Sequence, residues 1–270
     1  MQEVDATGAT APALWREAAS RGASGGVTSW GAGMPGRRTL RLFWEVREGR
    51  PVPEGEDLVE ENWTPYWRQS LRPVAVTERL LLVPAWEEVP EGAPVVLRID
   101  PGMAFGAGDH PSTRLCLRVL EALADGGSLP ERVLDVGTGT GVLALAAARL
   151  GASRVTALDI DPFGFAACRR NARLNGLEHR VRPLLRSLDL LEGTYPLILA
   201  NVVASQIRGL AVELRRHVEP GGRLVVSGFQ ADEEDSVETV LGMEPEGRWE
   251  EEGWVARMFR EPEGEGAWAR

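Results

Sequence analysis

Three alternating glycines, Gly137, Gly139 and Gly141, have the spacing that most clearly indicates a ligand site in this sequence. A short apolar strand, RVLDV, precedes them, and the apolar spacing after them predicts a helix. A turn without side chains lets a ligand lie against the backbone, and the free N–H groups at the helix start attract electronegative atoms. Alternating glycines also occur where the chain only needs a tight turn, so a purely structural role stays an alternative.

Two aspartates accompany the glycines. Asp159 ends a second strand, RVTALDI, about 20 residues after the turn, where a carboxylate in such folds accepts both ribose hydroxyls. Asp135 lies just before the turn, where it can brace the turn or face a ligand amine. Val142 stands where the dinucleotide motif G-x-G-x-x-G has its third glycine, and a P-loop needs a lysine that the chain lacks. Together these residues predict a ligand that carries a nucleoside.

The charge of the chain restricts its partners. The 270 residues include 40 acidic and 30 basic side chains, which gives a net charge of -10. An excess of negative charge argues against direct nucleic-acid binding through phosphate contacts and is compatible with a cationic partner. Every basic residue is an arginine, so Schiff-base chemistry and a catalytic lysine are excluded.

Other compartments and cofactors find no support in the sequence. No apolar run approaches the roughly 18 residues of a membrane-spanning helix, and the first residues lack a secretory pattern. Cys116 and Cys168 fall in amphipathic helical patterns, where a packing role is favoured, and no cluster has the spacing of metal ligands. We therefore expect a cytoplasmic, monomeric protein without a metal and without a membrane partner.

Strands and helices alternate from residue 131 onward, which is typical of a parallel sheet covered on both faces. We expect an α/β fold with a Rossmann-like, doubly wound, mostly parallel sheet and a small N-terminal α+β module. The expected division is a substrate-recognition module over 1–60, a linker over 61–95, a nucleotide-binding domain over 96–260 and a frayed tail over 261–270.

Several motifs resemble those of a known family. DVGTGTG and ALDIDP resemble the glycine motif and the acidic second-strand end of class I S-adenosylmethionine-dependent methyltransferases. The loop DPGMAFGAGDHPSTRL is similar to the DPGxAFGTGxHxTT signature of the PrmA family, which methylates large-subunit ribosomal protein eleven. LILANVVAS, WRQSLRP and LLLVPAW also resemble segments of that family, so the match covers about residues 60 to 260.

This resemblance implies a sheet of about seven strands, parallel but for one at the end, and S-adenosyl-L-methionine as the cofactor. It also implies an N-methyltransferase that acts on amines of a basic ribosomal protein. Residue by residue, Thr113 corresponds to the last loop threonine that contacts the cofactor, Asp159 to the ribose carboxylate and Asn201 to the residue facing the methyl group. Gly137 corresponds to the first glycine of the cofactor turn, which continues through Gly139 and Gly141.

Further candidates accompany these residues. Phe105 could form an aromatic wall near the cationic sulfur or pack in the core. His110 is a candidate proton acceptor or loop anchor. Asp189 follows the third strand, where this fold meets the adenine, but a helix cap or a solvated side chain is an equal alternative. His179 and His217 lie among arginines, and we expect both to be exposed.

The sequence departs from the family pattern in two places. Ala107 replaces the threonine of the loop's GTG, and Ser112 replaces the first threonine of its final pair. The first residues are small and rich in glycine, whereas the family carries a separate substrate-recognition domain of ferredoxin-like type. Methylation of another protein lysine or of a small molecule, and a non-catalytic ligand-binding role, stay open as alternatives.

Overall fold

The computed structural model describes residues 71–263, apart from residues 78, 93–94 and 103, and three short strands nearer the amino terminus. These strands form an antiparallel sheet in the order β1-β3-β2: β1 (Glu3–Asp5), β2 (Gly25–Ser29) and β3 (Thr39–Phe43). The chain divides into two compact units, Met1–Glu61 and Asn62–Arg270. Most of the module expected over 1–60, the start of the linker and residues 264–270 of the tail lie outside the described residues, so those assignments stay predictions.

A second small sheet leads into the loop that carries the family signature. It consists of β4 (Val74–Ala75), β5 (Leu80–Pro84) and β6 (Val95–Ile99), with β4 antiparallel and β6 parallel to β5. Leu82 and Leu97 are buried in the same apolar cluster as the helices of the main sheet. Part of the expected linker is therefore built into the core of the second unit.

The main sheet has seven strands in the order β12-β13-β11-β10-β7-β8-β9. The strands are β7 (Arg132–Val136), β8 (Arg154–Asp159), β9 (Val181–Leu185), β10 (Tyr195–Asn201), β11 (Val218–Gln230), β12 (Glu244–Glu251) and β13 (Trp254–Arg260). The pairs from β9 to β11 are parallel, whereas β13 runs antiparallel to both of its neighbours. The expected Rossmann-like, mostly parallel sheet is confirmed.

The reversed strand lies one place inside the edge rather than at the end. β12 and β13 form a hairpin whose two-residue turn, Glu252-Gly253, has φ values of 54° and 79°. Two positive φ angles are typical of the tight hairpin turn that matches the twist of paired strands. The turn places β12 on the outside and β13 against β11.

Five helices cover the two faces of the sheet within the described residues: α1 (Pro111–Asp125), α2 (Val142–Leu150), α3 (Pro162–Leu174), α4 (Ala204–Arg216) and α5 (Glu234–Leu241). Two apolar clusters divide them. Cys116, Leu145 and Cys168 place α1, α2 and α3 in one cluster, while Ile207 and Val237 place α4 and α5 in the other. Both cysteines are buried, and burial raises the pKa of each thiol to about 12, which fits a packing role. No described helix is long and apolar enough to cross a membrane.

The expectation that His217 is exposed was wrong, whereas His179 is exposed. His217 follows the last turn of α4 and is only 2% exposed. Its Nδ1 lies 2.7 Å from the carbonyl oxygen of Glu213, and its Nε2 lies 3.0 Å from that of Leu191. The arginines that precede it in sequence do not determine its environment, because the turn at Leu191 packs over the helix end.

Candidate active site

The candidate site lies at the carboxyl ends of neighbouring strands. The glycine turn follows β7, Asn201 ends β10, and these two strands pair directly. The chain leaves β7 toward β8 on one side and later returns to β10 on the other. In open α/β sheets, ligands bind in the crevice outside the carboxyl ends of the strands at such a reversal of strand order.

All three glycines of the turn are required by backbone geometry. Gly137, Gly139 and Gly141 have φ values of 70°, 53° and 84°, a region that other residues rarely adopt. A Cβ at Gly139 would overlap the carbonyl oxygen of Phe105, and one at Gly141 would lie 2.7 Å from the Sγ of Cys168. The turn is therefore packed against α3 on one side and the signature loop on the other.

Gly139→Ala is expected to destabilise the protein by more than its backbone strain alone. A positive φ costs a residue with a Cβ about 1–2 kcal/mol, and the overlap with the Phe105 carbonyl adds about 1–3 kcal/mol. Gly127→Ala is the matched control, because Gly127 has φ 63° and a Cβ added there would meet no atom within 4 Å. Urea unfolding of both variants measures the difference, and equal losses of unfolding free energy would contradict the close approach of loop and turn.

Asp135 braces the glycine turn from beneath. Its Oδ2 accepts hydrogen bonds from Thr138 Oγ1 at 2.6 Å and from the backbone N–H of Ala144 at 3.2 Å. The side chain is buried, and this burial raises the pKa of Asp135 to about 7 despite the two bonds. Of its two expected roles, the geometry favours bracing over contact with a ligand amine.

We expect the contribution of Asp135 to the free energy of unfolding to fall as the pH rises from about 4 through 7. The folded-state pKa of Asp135 lies above its unfolded value, so its contribution is present at low pH and is lost as pH rises through the folded pKa. Asp135→Asn removes this titration and keeps an amide oxygen that can accept the same bonds. Urea unfolding at acid and at neutral pH should show that this contribution is absent in Asp135→Asn and retained in Asp232→Asn, which changes an exposed aspartate. An unchanged dependence of the unfolding free energy on pH in Asp135→Asn would refute the raised pKa of Asp135.

Asp159 joins the glycine turn to the end of β8. Its Oδ2 accepts from the N–H of Gly139 at 2.8 Å, and its Oδ1 accepts from the N–H of Asp161 at 2.9 Å. Burial raises the pKa of Asp159, and the backbone hydrogen bonds oppose this rise. Each carboxylate oxygen has a second lone pair that can accept from another donor, such as a hydroxyl. Gly164, which the sequence did not single out, makes room here, because a Cβ at that position would overlap Oδ2 of Asp159.

The signature loop is tied directly to the glycine turn. The N–H of Thr140 donates to the carbonyl oxygen of Phe105 at 2.9 Å, and its Oγ1 donates to that of Gly106 at 2.7 Å. The loop therefore closes over the turn from the side of Phe105, whose side chain is 58% exposed and so is not core packing. An exposed aromatic ring beside the crevice leaves its face available to a ligand.

Asn171 on α3 holds the loop and the turn together. Its Nδ2 donates to the carbonyl oxygens of Asp100 at 3.0 Å and Thr140 at 2.9 Å, and its Oδ1 accepts from the N–H of Asp100 at 2.9 Å. Sequence reasoning missed this residue. The available signal was a single amide on the helical stripe of buried small residues that includes Ala167 and Ala172.

Thr113 and Asn201 meet across the crevice. The Nδ2 of Asn201 donates to the Oγ1 of Thr113 at 3.3 Å, and the Thr113 side chain is 0% exposed. The Oδ1 of Asn201 is buried and has no hydrogen-bond partner among the described residues. A buried acceptor without a partner costs about 1–3 kcal/mol, so a donor from a bound ligand or water is expected at this atom. The arrangement fixes the amide and leaves its oxygen ready to accept a hydrogen bond.

His110 caps α1. Its Nδ1 accepts from the N–H of Ser112 at 3.3 Å and lies 2.8 Å from the hydroxyl of Ser112. Its ring makes edge contacts with Trp254 and Phe105, at centroid distances of 4.4 Å and 5.5 Å. Burial lowers the pKa of His110, with smaller opposing effects from nearby carboxylates. Of the two roles expected for it, these contacts favour the loop anchor. Ser112 stands where the family has a threonine, and it supplies a hydroxyl as threonine would.

The remaining candidate stands apart from this group. Asp189 is exposed in a short 3-10 turn, Leu188–Leu190, and accepts a hydrogen bond from the hydroxyl of Ser187. It lies after β9, on the far side of β8 from the glycine turn.

In the part of the chain that the structure describes, no group of three or more His, Cys, Asp or Glu side chains could hold a metal ion.

Known proteins resemble this chain in both sequence and fold. Residues 45–262 match the family model described as ribosomal protein L11 methyltransferase (PrmA). A ribosomal protein L11 methyltransferase of Symbiobacterium thermophilum is 45% identical over 208 residues, which cover 75% of this chain and 67% of that protein. One of Pelobacter propionicus is 43% identical over 217 residues, covering 78% of this chain and 70% of that protein.

A solved structure agrees with these relatives. The crystal structure of a ribosomal protein L11 methylase from Lactobacillus delbrueckii subsp. bulgaricus is 30% identical, with a TM-score of 0.63, and covers 71% of this chain and 100% of that chain. The resemblance based on the signature loop and the glycine turn is thus confirmed. This chain belongs to the ribosomal protein L11 methyltransferase (PrmA) family.

Proposed function

We propose that this chain transfers methyl groups from S-adenosyl-L-methionine to lysine or amino-terminal amines of ribosomal protein L11. Membership of the family supports the reaction and the substrate. The observation that carries the proposal within the site is the buried, unpartnered Oδ1 of Asn201, held in place by Thr113. An amine N–H is the donor that this acceptor suits.

The donor and acceptor set fits the cofactor. Asp159 can accept ribose hydroxyls with its remaining lone pairs, and the positive φ angles of Gly137, Gly139 and Gly141 leave bare backbone at the crevice. The exposed ring of Phe105 offers an aromatic face to a cationic sulfur. As the family resemblance implies, we assign Asp189 to the adenine end of the cofactor. When bound, S-adenosyl-L-methionine supplies a methyl group on a positively charged sulfur.

The residues of the chain then act by alignment. The substrate amine must be neutral to have a lone pair, and a closed, desolvated pocket lowers its pKa from the ordinary value of about 10.4. Asn201 accepts one N–H of the amine through Oδ1 and thereby directs the lone pair toward the methyl carbon. Thr113 keeps that amide from rotating, and His110 holds the start of α1 that carries Thr113. Proximity and orientation of this kind account for a large part of such a rate enhancement.

Methyl transfer from labelled S-adenosyl-L-methionine to purified large-subunit proteins, followed by intact mass, tests the proposal. We expect a mass gain confined to L11 with the wild-type chain and the same gain about 100-fold more slowly, or slower still, with Asn201→Ala. A mass gain on a different protein would identify that protein, and not L11, as the substrate. Cofactor binding without transfer to any protein would favour a small-molecule substrate or the non-catalytic alternative.

The substrate proposal extends to the rest of the chain. A basic ribosomal protein is made and assembled in the cytoplasm, so we assign this enzyme to that compartment and propose that it acts as a monomer. Residues 1–60 are proposed as the module that recognises L11. The acidic excess of the chain, a net charge of -10, favours a basic partner of this kind.

A further inference from the structure

Seven exposed arginines lie along the β9 side of the main sheet, and we call this set the arginine edge. Its members are Arg149, Arg154, Arg169, Arg173, Arg180, Arg182 and Arg186. β9 is the outermost strand of this sheet on this side, and no other described strand of the sheet pairs with its outer edge. The edge is unexpected in a chain with a net charge of -10.

Backbone contacts place these arginines beside one another. Arg149 donates to the carbonyl oxygen of Asn175 at 3.0 Å, and Arg180 donates to that of Ala148 at 3.3 Å, so both lie where α2 and α3 end. The N–H of Val155 donates to the carbonyl oxygen of Arg180 at 2.8 Å, which brings Arg154 alongside.

The edge continues along β9 and α3. Arg182 lies within β9, and Arg186 follows the strand directly. Arg169 and Arg173 lie one turn apart on α3, which packs on the same side. From Arg180 to Arg186 the extended chain spans about 20 Å.

None of the seven side chains forms an ion pair with a carboxylate among the residues that the structure describes. Most other described arginines do, for example in the pairs Arg118–Glu251, Arg215–Glu261, Arg223–Glu246 and Arg257–Glu234. The local sequence explains the difference for five of the seven, because Glu178 is the one acidic residue within 162–188, a segment with six arginines. Residues 231–263, at the opposite side of the sheet, hold 12 acidic residues and three arginines.

We propose that the arginine edge binds the phosphate backbone of RNA. A guanidinium group presents a planar fork of donors that matches a phosphate in a bidentate manner. Double-stranded DNA carries one negative charge per roughly 1.7 Å of its axis, so an RNA duplex of comparable charge density presents several phosphates to an edge of about 20 Å. A basic protein such as the proposed substrate would be repelled by seven arginines that lack carboxylate partners.

This proposal departs from the expectation of no direct nucleic-acid binding, which rested on the net charge of the whole chain. Net charge averages over two sides of opposite sign, whereas phosphate binding depends on the local distribution. The choice of RNA over another polyanion rests on the proposed function, because RNA surrounds a ribosomal protein. The RNA contact itself is independent of the methyl-transfer chemistry.

Fluorescence anisotropy of a short labelled RNA duplex with the full chain tests the proposal. The triple variant Arg154→Gln/Arg173→Gln/Arg182→Gln removes three side chains for which the described residues provide no hydrogen bond or ion pair. We expect its affinity for RNA to fall about tenfold or more at low salt. The slope of log K against log salt should become shallower by up to about 3.

The triple variant Arg79→Gln/Arg208→Gln/Arg216→Gln is the matched control, since it removes the same charge elsewhere on the surface. We expect this control to bind RNA within about twofold of the wild type, because exposed ion pairs contribute little to the fold. Absence of RNA binding by the wild type, or equal losses in the two triple variants, would overturn the proposal. Self-association of the wild type without RNA binding, lost in the first variant, would instead assign the edge to the acidic side of a second copy. Methyl transfer to free L11, measured on the same samples, reports separately on the proposed function.

Discussion

Replacing Asn201 with alanine is expected to slow methyl transfer about 100-fold or more, while the affinity for S-adenosyl-L-methionine stays within about threefold. The Oδ1 of Asn201 is buried and has no protein partner in the described chain, so its removal leaves no protein donor without an acceptor. What is lost is the acceptor that orients the amine. Single-turnover methyl transfer measures the rate, and calorimetry with S-adenosylhomocysteine measures the binding.

Thr113→Val keeps the acceptor, Oδ1 of Asn201, but removes the contact that orients it. Valine keeps the shape of threonine but removes the Oγ1 that accepts from the Nδ2 of Asn201 at 3.3 Å. We expect a smaller loss of rate, about tenfold, since Oδ1 is still present but the amide can rotate. Loss of cofactor affinity in Asn201→Ala as large as its loss of rate would contradict the role assigned to this amide.

Asp159→Ala is expected to weaken cofactor binding about 30-fold or more. Hydrogen bonds to a charged group contribute about 1.5–3 kcal/mol, and a difference of 1.4 kcal/mol is about tenfold in affinity. The substitution also leaves the N–H of Gly139 without its acceptor, which loosens the glycine turn. Calorimetric titration with S-adenosylhomocysteine measures the effect directly.

Asp161→Ala is the control for this experiment, because it removes a carboxylate two residues away. Asp161 caps α3 by accepting from the N–H of Phe163 at 2.9 Å, so its loss costs about 1 kcal/mol of stability without touching the turn. We expect its cofactor affinity to stay near that of the wild type. Equal weakening in both variants would refute a specific ribose contact by Asp159.

The pH dependence of binding offers a second readout for Asp159. Burial raises its pKa, so acidification protonates this carboxyl at a higher pH than an ordinary aspartate. The protonated form is a weaker acceptor for ribose hydroxyls. Affinity should therefore fall on acidification in the wild type, and Asp159→Asn should remove most of this dependence.

Most of the fold and several site residues followed from local rules. A strand, a glycine turn and a helix in close succession can form only a few structures, so Gly137, Gly139 and Gly141 indicated the crevice without any knowledge of distant contacts. Asp161 followed by Pro162 is a local pattern typical of a helix start, and α3 begins at Pro162 with Asp161 as its cap. Family resemblance indicated Thr113 through the signature loop and Asn201 through the segment LILANVVAS.

The roles of individual side chains depended on contacts between distant parts of the chain. Asn171 joins Asp100 to Thr140, and no local pattern distinguishes a helical asparagine that bonds across the fold from one in solvent. The choice between bracing and ligand contact for Asp135 was made by the position of Ala144 above it. By itself, the sequence determined the order of elements and the chemical groups at the strand ends, because these depend on near neighbours. Only the tertiary structure decided which groups are satisfied and which, like Oδ1 of Asn201, stay free, because packing brings together residues that are far apart in the chain.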